Sequence, residues 1–195
     1  MLTAPLPGLV LAGGESRRMG RDKGRLSWNG TEQRLRTAEL LSLFCSPVYI
    51  SLRSAEEISG YPVLVDNLTG IGPMAGLLRA FREHPDAAWL VLACDLPLMS
   101  ETALRLLVAG RDPGRVATCL CGADGRPEPL AAIWEPSALR LLQKAQADGQ
   151  YGLQRLLNEG GCALINVPNV EWLHNSNTPG EWAEARLRAP GSDHS

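Results

Sequence analysis

Six short apolar runs punctuate the chain, at Leu9–Ala12, Val48–Leu52, Val63–Val65, Ala88–Ala93, Val116–Leu120 and Ala163–Val167. Their brevity limits the fold more than any other feature. Each is too short for a buried helix and is apolar at successive rather than alternate positions. That pattern suits strands covered on both faces, inside a largely parallel sheet. Helical spacing fills the intervals. Glu32–Phe44 sets Leu35, Ala38, Leu41 and Leu43/Phe44 near one stripe, and Met74–Arg82 does the same with Met74, Leu77, Leu78 and Phe81. Ser100 reads as the cap of a third helix, and further helices are expected over Pro136–Ala147, Tyr151–Glu159 and Pro179–Arg188. Arg25–Trp28 followed by Asn29-Gly30 reads as a short strand and turn. Strands alternating with helices predict an α/β, Rossmann-like three-layer fold with a mostly parallel central sheet.

The chain has 195 residues, enough for one domain with a real core. We expect that domain over residues 1–188, in two parts at about 7–110 and about 111–188, then a flexible tail over 189–195. The 19 basic and 21 acidic residues leave a net charge of −2, which argues against a broad grip on nucleic acid. No run approaches the roughly 18 continuous apolar residues of a membrane span, and no secretory leader is visible. Five irregularly spaced cysteines read as reduced, mostly buried thiols of a cytoplasmic protein. The Cys119-x-Cys121 pair is weak evidence for zinc.

In parallel α/β sheets, ligands sit beyond the carboxyl ends of the strands, and the unusual residues lie there. Strand one leads into Leu11-Ala12-Gly13-Gly14-Glu15-Ser16-Arg17-Arg18-Met19-Gly20-Arg21-Asp22-Lys23. Paired glycines let backbone N–H groups approach phosphate, and Arg17, Arg18 and Lys23 supply positive charge for a polyphosphate. Neither the Walker A spacing nor the G-x-G-x-x-G fingerprint is present. The Ala88–Ala93 strand ends in Cys94-Asp95-Leu96-Pro97, which sets a carboxylate at a strand tip where it can reach a hard cation carrying phosphate.

The thirteen-residue loop closely resembles the L-A-G-G-x-S-x-R-M-G-x-D-K signature of the MobA-like nucleotidyltransferases. That resemblance implies a nucleotidyltransferase fold and transfer of GMP from GTP to a molybdopterin-type cofactor, with Mg2+ and release of pyrophosphate. It implies that Leu11, Ala12, Gly13 and Gly14 hold the nucleotide, and that Lys23, Arg17 and Arg18 hold the phosphates. Asp95 matches the family's C-D-x-P aspartate and is expected to bind magnesium. Asp66 and the Gly72-Pro73-Met74-Ala75-Gly76 turn match a further nucleotide-contacting segment, and Ser51 stands where better-known members carry asparagine. Arg126-Pro127-Glu128-Pro129-Leu130 resembles the acceptor-side P-E-P-L segment. Asn175 and Asn177 lie in an N-x-N-T-P motif whose amides reach the active site. Molybdoenzymes or cofactor-handling proteins are implied as partners. A cytidylyl- or sugar-nucleotide transferase, or a non-catalytic nucleotide-binding regulator, could carry the same scaffold.

Overall fold

Strands of four or five residues bury both faces only when helices cover both. The computed structural model, which describes residues 6–13, 23–28 and 30–188 apart from the side chain of residue 23, has this arrangement. The elements in chain order are β1 (Gly8–Leu11), β2 (Ser27–Trp28), β3 (Thr31–Glu32), α1 (Gln33–Ser42), β4 (Val48–Leu52), β5 (Val63–Val65), α2 (Met74–Glu83) and β6 (Trp89–Ala93). There follow α3 (Glu101–Ala109), β7 (Ala117–Cys121), β8 (Pro127–Trp134), α4 (Ala138–Ala147), α5 (Leu153–Gly160), β9 (Ala163–Asn166) and α6 (Pro179–Arg188). Short 3-10 turns cover Lys23–Arg25 and Val170–Leu173. The expected tail lies outside the described residues.

The main sheet has the order β5-β4-β1-β6-β8-β7-β9. All its pairings are parallel except those of β8, which runs antiparallel to both neighbours. Successive residues of the central strands point to opposite layers. Leu9, Trp89 and Val91 enter one apolar cluster with α2, α4 and α5, while Val10, Leu90 and Leu92 enter another with α1 and α3. The six apolar runs are therefore strands, and the three-layer expectation holds.

One strand of the main sheet escaped the sequence reading. Arg126–Leu130 was read only as an acceptor-side segment, yet β8 starts at Pro127 and crosses the sheet. Prolines cannot donate to a ladder, which hid the strand. The fold accommodates them with an irregularity, in which the register jumps from Cys119↔Ala132 to Leu120↔Glu128 and leaves Pro129 out of the pairing. The expected strand over Arg25–Trp28 is shorter than predicted, because Arg25 completes a 3-10 turn and only Ser27–Trp28 pairs, with Thr31–Glu32.

A charged network fixes the loop after β4. Arg34 on α1 has a side chain only 5% exposed. It donates to Glu56 through both terminal nitrogens at 2.9 Å, and to Glu32 at 2.6 Å. Glu56 also accepts from Arg25, the last residue of the Lys23–Arg25 turn, at 2.9 Å. These guanidinium hydrogen bonds, Arg34's first, hold the Glu56 carboxyl down at about 2. Its ordinary unfolded value is about 4.3, so its contribution to stability is complete above that pH and disappears as pH falls toward 2. Glu56→Gln should cost about 1–2 kcal/mol at neutral pH. Urea denaturation of both proteins should show the difference shrinking between pH 5 and pH 2, and a difference independent of pH would refute the ion-pair account.

Candidate active site

The geometry of the cleft follows from which strands end side by side. Leu11 pairs with Ser51 on one side and Ala93 on the other. Beyond the ladder, Ala12 N–H donates to Ser51 O and Cys94 N–H donates to Leu11 O, both at 3.2 Å. The chain turns to the other half of the sheet between β1 and β6, which is where α/β sheets open a ligand crevice. A cavity of about 350 Å³ occupies this place, with Leu11, Ala12, Gly13, Ser51, Asp66, Gly72 and Asp95 in its wall. Seven residues singled out from sequence therefore share one cavity. Gly14, Arg17 and Arg18 lie outside the described residues. Lys23 is the first residue of the 3-10 turn, and its side chain is likewise outside the description.

Two glycines shape one wall. Gly72 has φ +60°, a conformation that side chains resist, and it turns the chain into α2. At Gly76 a Cβ would stand 2.4 Å from Leu11 Cδ2 and 2.9 Å from Ser51 Oγ. The first turn of α2 thus lies directly on the ends of β1 and β4, which only glycine permits. Ser51 is 1% exposed, and among the described residues its hydroxyl has no partner at normal hydrogen-bond geometry.

The charged groups are half in and half out of water. Burial pushes the Asp66 carboxyl above the usual carboxylate range, opposed by the positive charge of Arg53 and by the Ser51 hydroxyl. Arg53 also donates from Nε to Gly13 O at 2.6 Å, joining the loop after β4 to the glycine loop after β1. Sequence reading passed over Arg53. Its signal was register, since it follows Ser51 by two residues and so continues the same side of the strand.

Glu128 was quoted within its motif but given no place in the site. Because β8 is antiparallel, its first residues lie at the carboxyl end of β6, beside the cavity, and Leu130 lines the wall. Burial raises the Glu128 carboxyl, the Leu130 N–H hydrogen bond at 3.0 Å opposes this, and the negative charge of Asp95 adds to the rise.

Asp95 is held from the C-terminal side. Ser176 N–H donates to Asp95 O at 2.8 Å. With its amide nitrogen facing the carboxylate, the orientation that satisfies both groups, Asn175 donates to Asp95 Oδ2 at 2.7 Å. Asn177 serves differently, through its backbone N–H, which donates to Glu181. Thr178 and Glu181 form a reciprocal cap, with Glu181 N–H on Thr178 Oγ1 and Thr178 N–H on Glu181, and Pro179 opens the helix. The N-x-N-T-P run is therefore both a helix start and a clamp on Asp95.

A carboxylate offers about four lone-pair sites, so the Asn175 contact leaves Asp95 able to bind a cation. Among the described residues no group of three or more His, Cys, Asp or Glu side chains could enclose a metal. One carboxylate facing an open cavity fits magnesium, which commonly takes one or two protein carboxylates and completes its shell with phosphate oxygens and water. The cysteines form no disulfide with one another; Cys119 and Cys121 are buried on β7, and burial, the largest cause, raises both thiols. No described helix is long and apolar enough to cross a membrane.

A family model for the MobA-like NTP transferase domain matches residues 8–164. The chain is 37% identical over 185 residues to a molybdenum cofactor biosynthesis bifunctional protein of Synechocystis, which covers 92% of this chain and 53% of that protein. It is also 37% identical over 176 residues to a probable molybdenum cofactor guanylyltransferase of Opitutus terrae, covering 85% of this chain and 86% of the relative. It therefore spans about half the length of the first relative and most of the second. Among solved structures, a molybdopterin-guanine dinucleotide biosynthesis protein A from Archaeoglobus fulgidus superposes with a TM-score of 0.78 at 25% identity, over 94% of this chain and 98% of that one. The glycine loop, the strand-tip aspartate and these matches agree: the chain is a nucleotidyltransferase and belongs to the MobA-like NTP transferase family.

Proposed function

We propose that this chain transfers GMP from GTP to a molybdopterin-type cofactor, using magnesium and releasing pyrophosphate. One observation carries the reading. The ends of β1 and β6 deliver Gly13 and Asp95 to one cavity, in a chain whose relatives are named for molybdenum cofactor guanylylation. Those relatives do not favour a cytidylyl or sugar-nucleotide transferase, or a regulator without catalysis. The same reading places the reaction in the cytoplasm, within one domain whose nucleotide part covers about 7–110 and acceptor part about 111–188, with molybdoenzymes or cofactor-handling proteins as recipients.

In this reaction an oxygen of the acceptor's terminal phosphate attacks the α-phosphorus of GTP. A new P–O bond forms as the bond to the β-phosphate bridging oxygen breaks, and pyrophosphate leaves. No general base is required, because a phosphate monoester is already ionised near neutral pH. The protein's work is alignment and charge compensation. Leu11, Ala12 and Gly13 cradle the nucleoside, with Ser51, Asp66 and the Gly72 turn closing around it. Gly14, Arg17, Arg18 and Lys23 hold the phosphates that depart. Asp95 holds magnesium, which when bound supplies compensating charge at the α-phosphate. Asn175 orients the Asp95 carboxylate, and Asn177 keeps that clamp seated at the start of α6.

Three measurements test this. Asp95→Ala should abolish pyrophosphate release while leaving the circular dichroism spectrum that of the parent, and retained magnesium-dependent turnover would remove the metal assignment. Lys23→Ala should raise the KM for GTP by about ten- to a hundredfold, the worth of one charged hydrogen bond; an unchanged titration would make the lysine a bystander. In a thermal-shift panel with magnesium, GTP should stabilise the protein more than CTP, UTP or ATP, by about 2.7 kcal/mol at a hundred times its Kd. A preference for another nucleotide would reassign the donor.

A further inference from the structure

A third apolar cluster lies apart from the two that flank the sheet. Trp28, Trp182 and Ala185 are buried in it, with Leu26 and Leu98 packed against them. Its members come from three segments of the chain. Leu26 and Trp28 follow the Lys23–Arg25 turn, Leu98 lies three residues after Asp95, and Trp182 and Ala185 belong to α6.

A chain of hydrogen bonds runs from this cluster to Asp95. The Trp182 indole N–H donates to Ser176 O at 3.0 Å, and Ser176 N–H donates to Asp95 O at 2.8 Å. One residue is thus held by its carbonyl on the indole and holds Asp95 by its amide. Asn175, the adjacent residue, reaches the Asp95 carboxylate itself at 2.7 Å. On its other side the Trp182 ring meets Trp28 edge-on, with centroids 6.0 Å apart and planes at 72°. The Arg36 guanidinium covers Trp28 at 4.4 Å. Filling a small cluster needs only an apolar ring. The indole N–H directed to the carbonyl of the Asp95-binding residue is a feature that filling does not require.

We propose that Trp182 is a positioning residue of the transferase site. Its N–H seats Ser176, and with it Asn175, on Asp95; its ring sets that grip against the strand that follows the Lys23 turn. The proposal rests on the transferase reading above.

The test compares the full chain with Trp182→Phe, which keeps a ring but loses the N–H, Trp182→Leu, which loses both, and Leu142→Ala. Leu142 is buried on α4 in the cluster that α2, α4 and α5 form against the sheet, separate from the tryptophan cluster, so its truncation destabilises without touching the brace. Hydrogen exchange by mass spectrometry is read at Ser176, relative to strand amides, beside kcat, the KM for GTP and the magnesium concentration for half-maximal rate. Trp182→Phe should speed Ser176 exchange and lower kcat about fivefold, the scale of one neutral hydrogen bond. It should also raise the magnesium requirement while moving the KM for GTP less than twofold. Trp182→Leu should raise that KM as well. Leu142→Ala should lower the melting temperature and leave Ser176 exchange and the magnesium requirement unchanged. Wild-type exchange and magnesium dependence in Trp182→Phe, or the same shifts in Leu142→Ala, would overturn the proposal. Absence of pyrophosphate release from the wild type would instead overturn the transferase reading, and the exchange data from the same samples keep the two failures apart.

Discussion

The parallel ladder between β1 and β6 is the constraint on which the cleft depends. Leu11 lies opposite Ala93, and the Cys94 N–H closes onto Leu11 O just past the ladder. Parallel strands end at the same edge of a sheet. The glycines that follow β1 and the aspartate that follows β6 therefore emerge as neighbours, although some eighty residues separate them in the chain. An antiparallel pairing would have put them at opposite edges. The reversal of strand order between β1 and β6 keeps the space above them clear of a crossing connection.

The one antiparallel strand of the main sheet uses the same logic in reverse. β8 lies between β6 and β7 with its direction inverted, so its beginning reaches the edge where its neighbours end. That inversion brings Glu128 and Leu130 to the cleft. The irregular register at Pro129 then bends the ladder there. Burial raises both Asp66 and Glu128, while Arg53 stands beside the former and Asp95 adds its charge to the latter. Such a mixture of partly desolvated charges is the environment in which a polyphosphate and its counter-charges attract strongly, since field strength rises as water is excluded.

Much of this was readable along the chain. All six apolar runs became strands; β1, β4, β6 and β7 are buried on both faces, while the edge strand β9, with Leu164 and Asn166 exposed, kept its apolar run without that burial. Helix boundaries agree within two residues, and Pro179–Arg188 matches at both ends; the small shifts elsewhere are expected where end turns are decided by local hydrogen bonds. β8 was missed because Pro127 and Pro129 interrupt the signature of a strand, and only pairing with β6 and β7 reveals it. Arg53 was missed because an arginine after a strand looks like any solvated surface charge. The Asn175 contact was legible only as a motif, since the local reading of N-x-N-T-P is a capped helix start, and the structure gives it that role too.

By itself the sequence determined the alternation of strands and helices, the glycine-rich, cation-bearing loop, and the carboxylate at the tip of the β6 strand. These are local properties, written in side-chain size, backbone freedom and charge within a few consecutive residues. Only the tertiary structure decided that Gly13, Asp66 and Asp95 share a cavity, that β8 runs backwards to reach it, and that the segment leading into α6 returns to hold Asp95 through Asn175 and Ser176. Each of these depends on strand order, direction and the packing of distant segments. Such choices arise from burying apolar faces against one another, and no window of neighbouring residues encodes them.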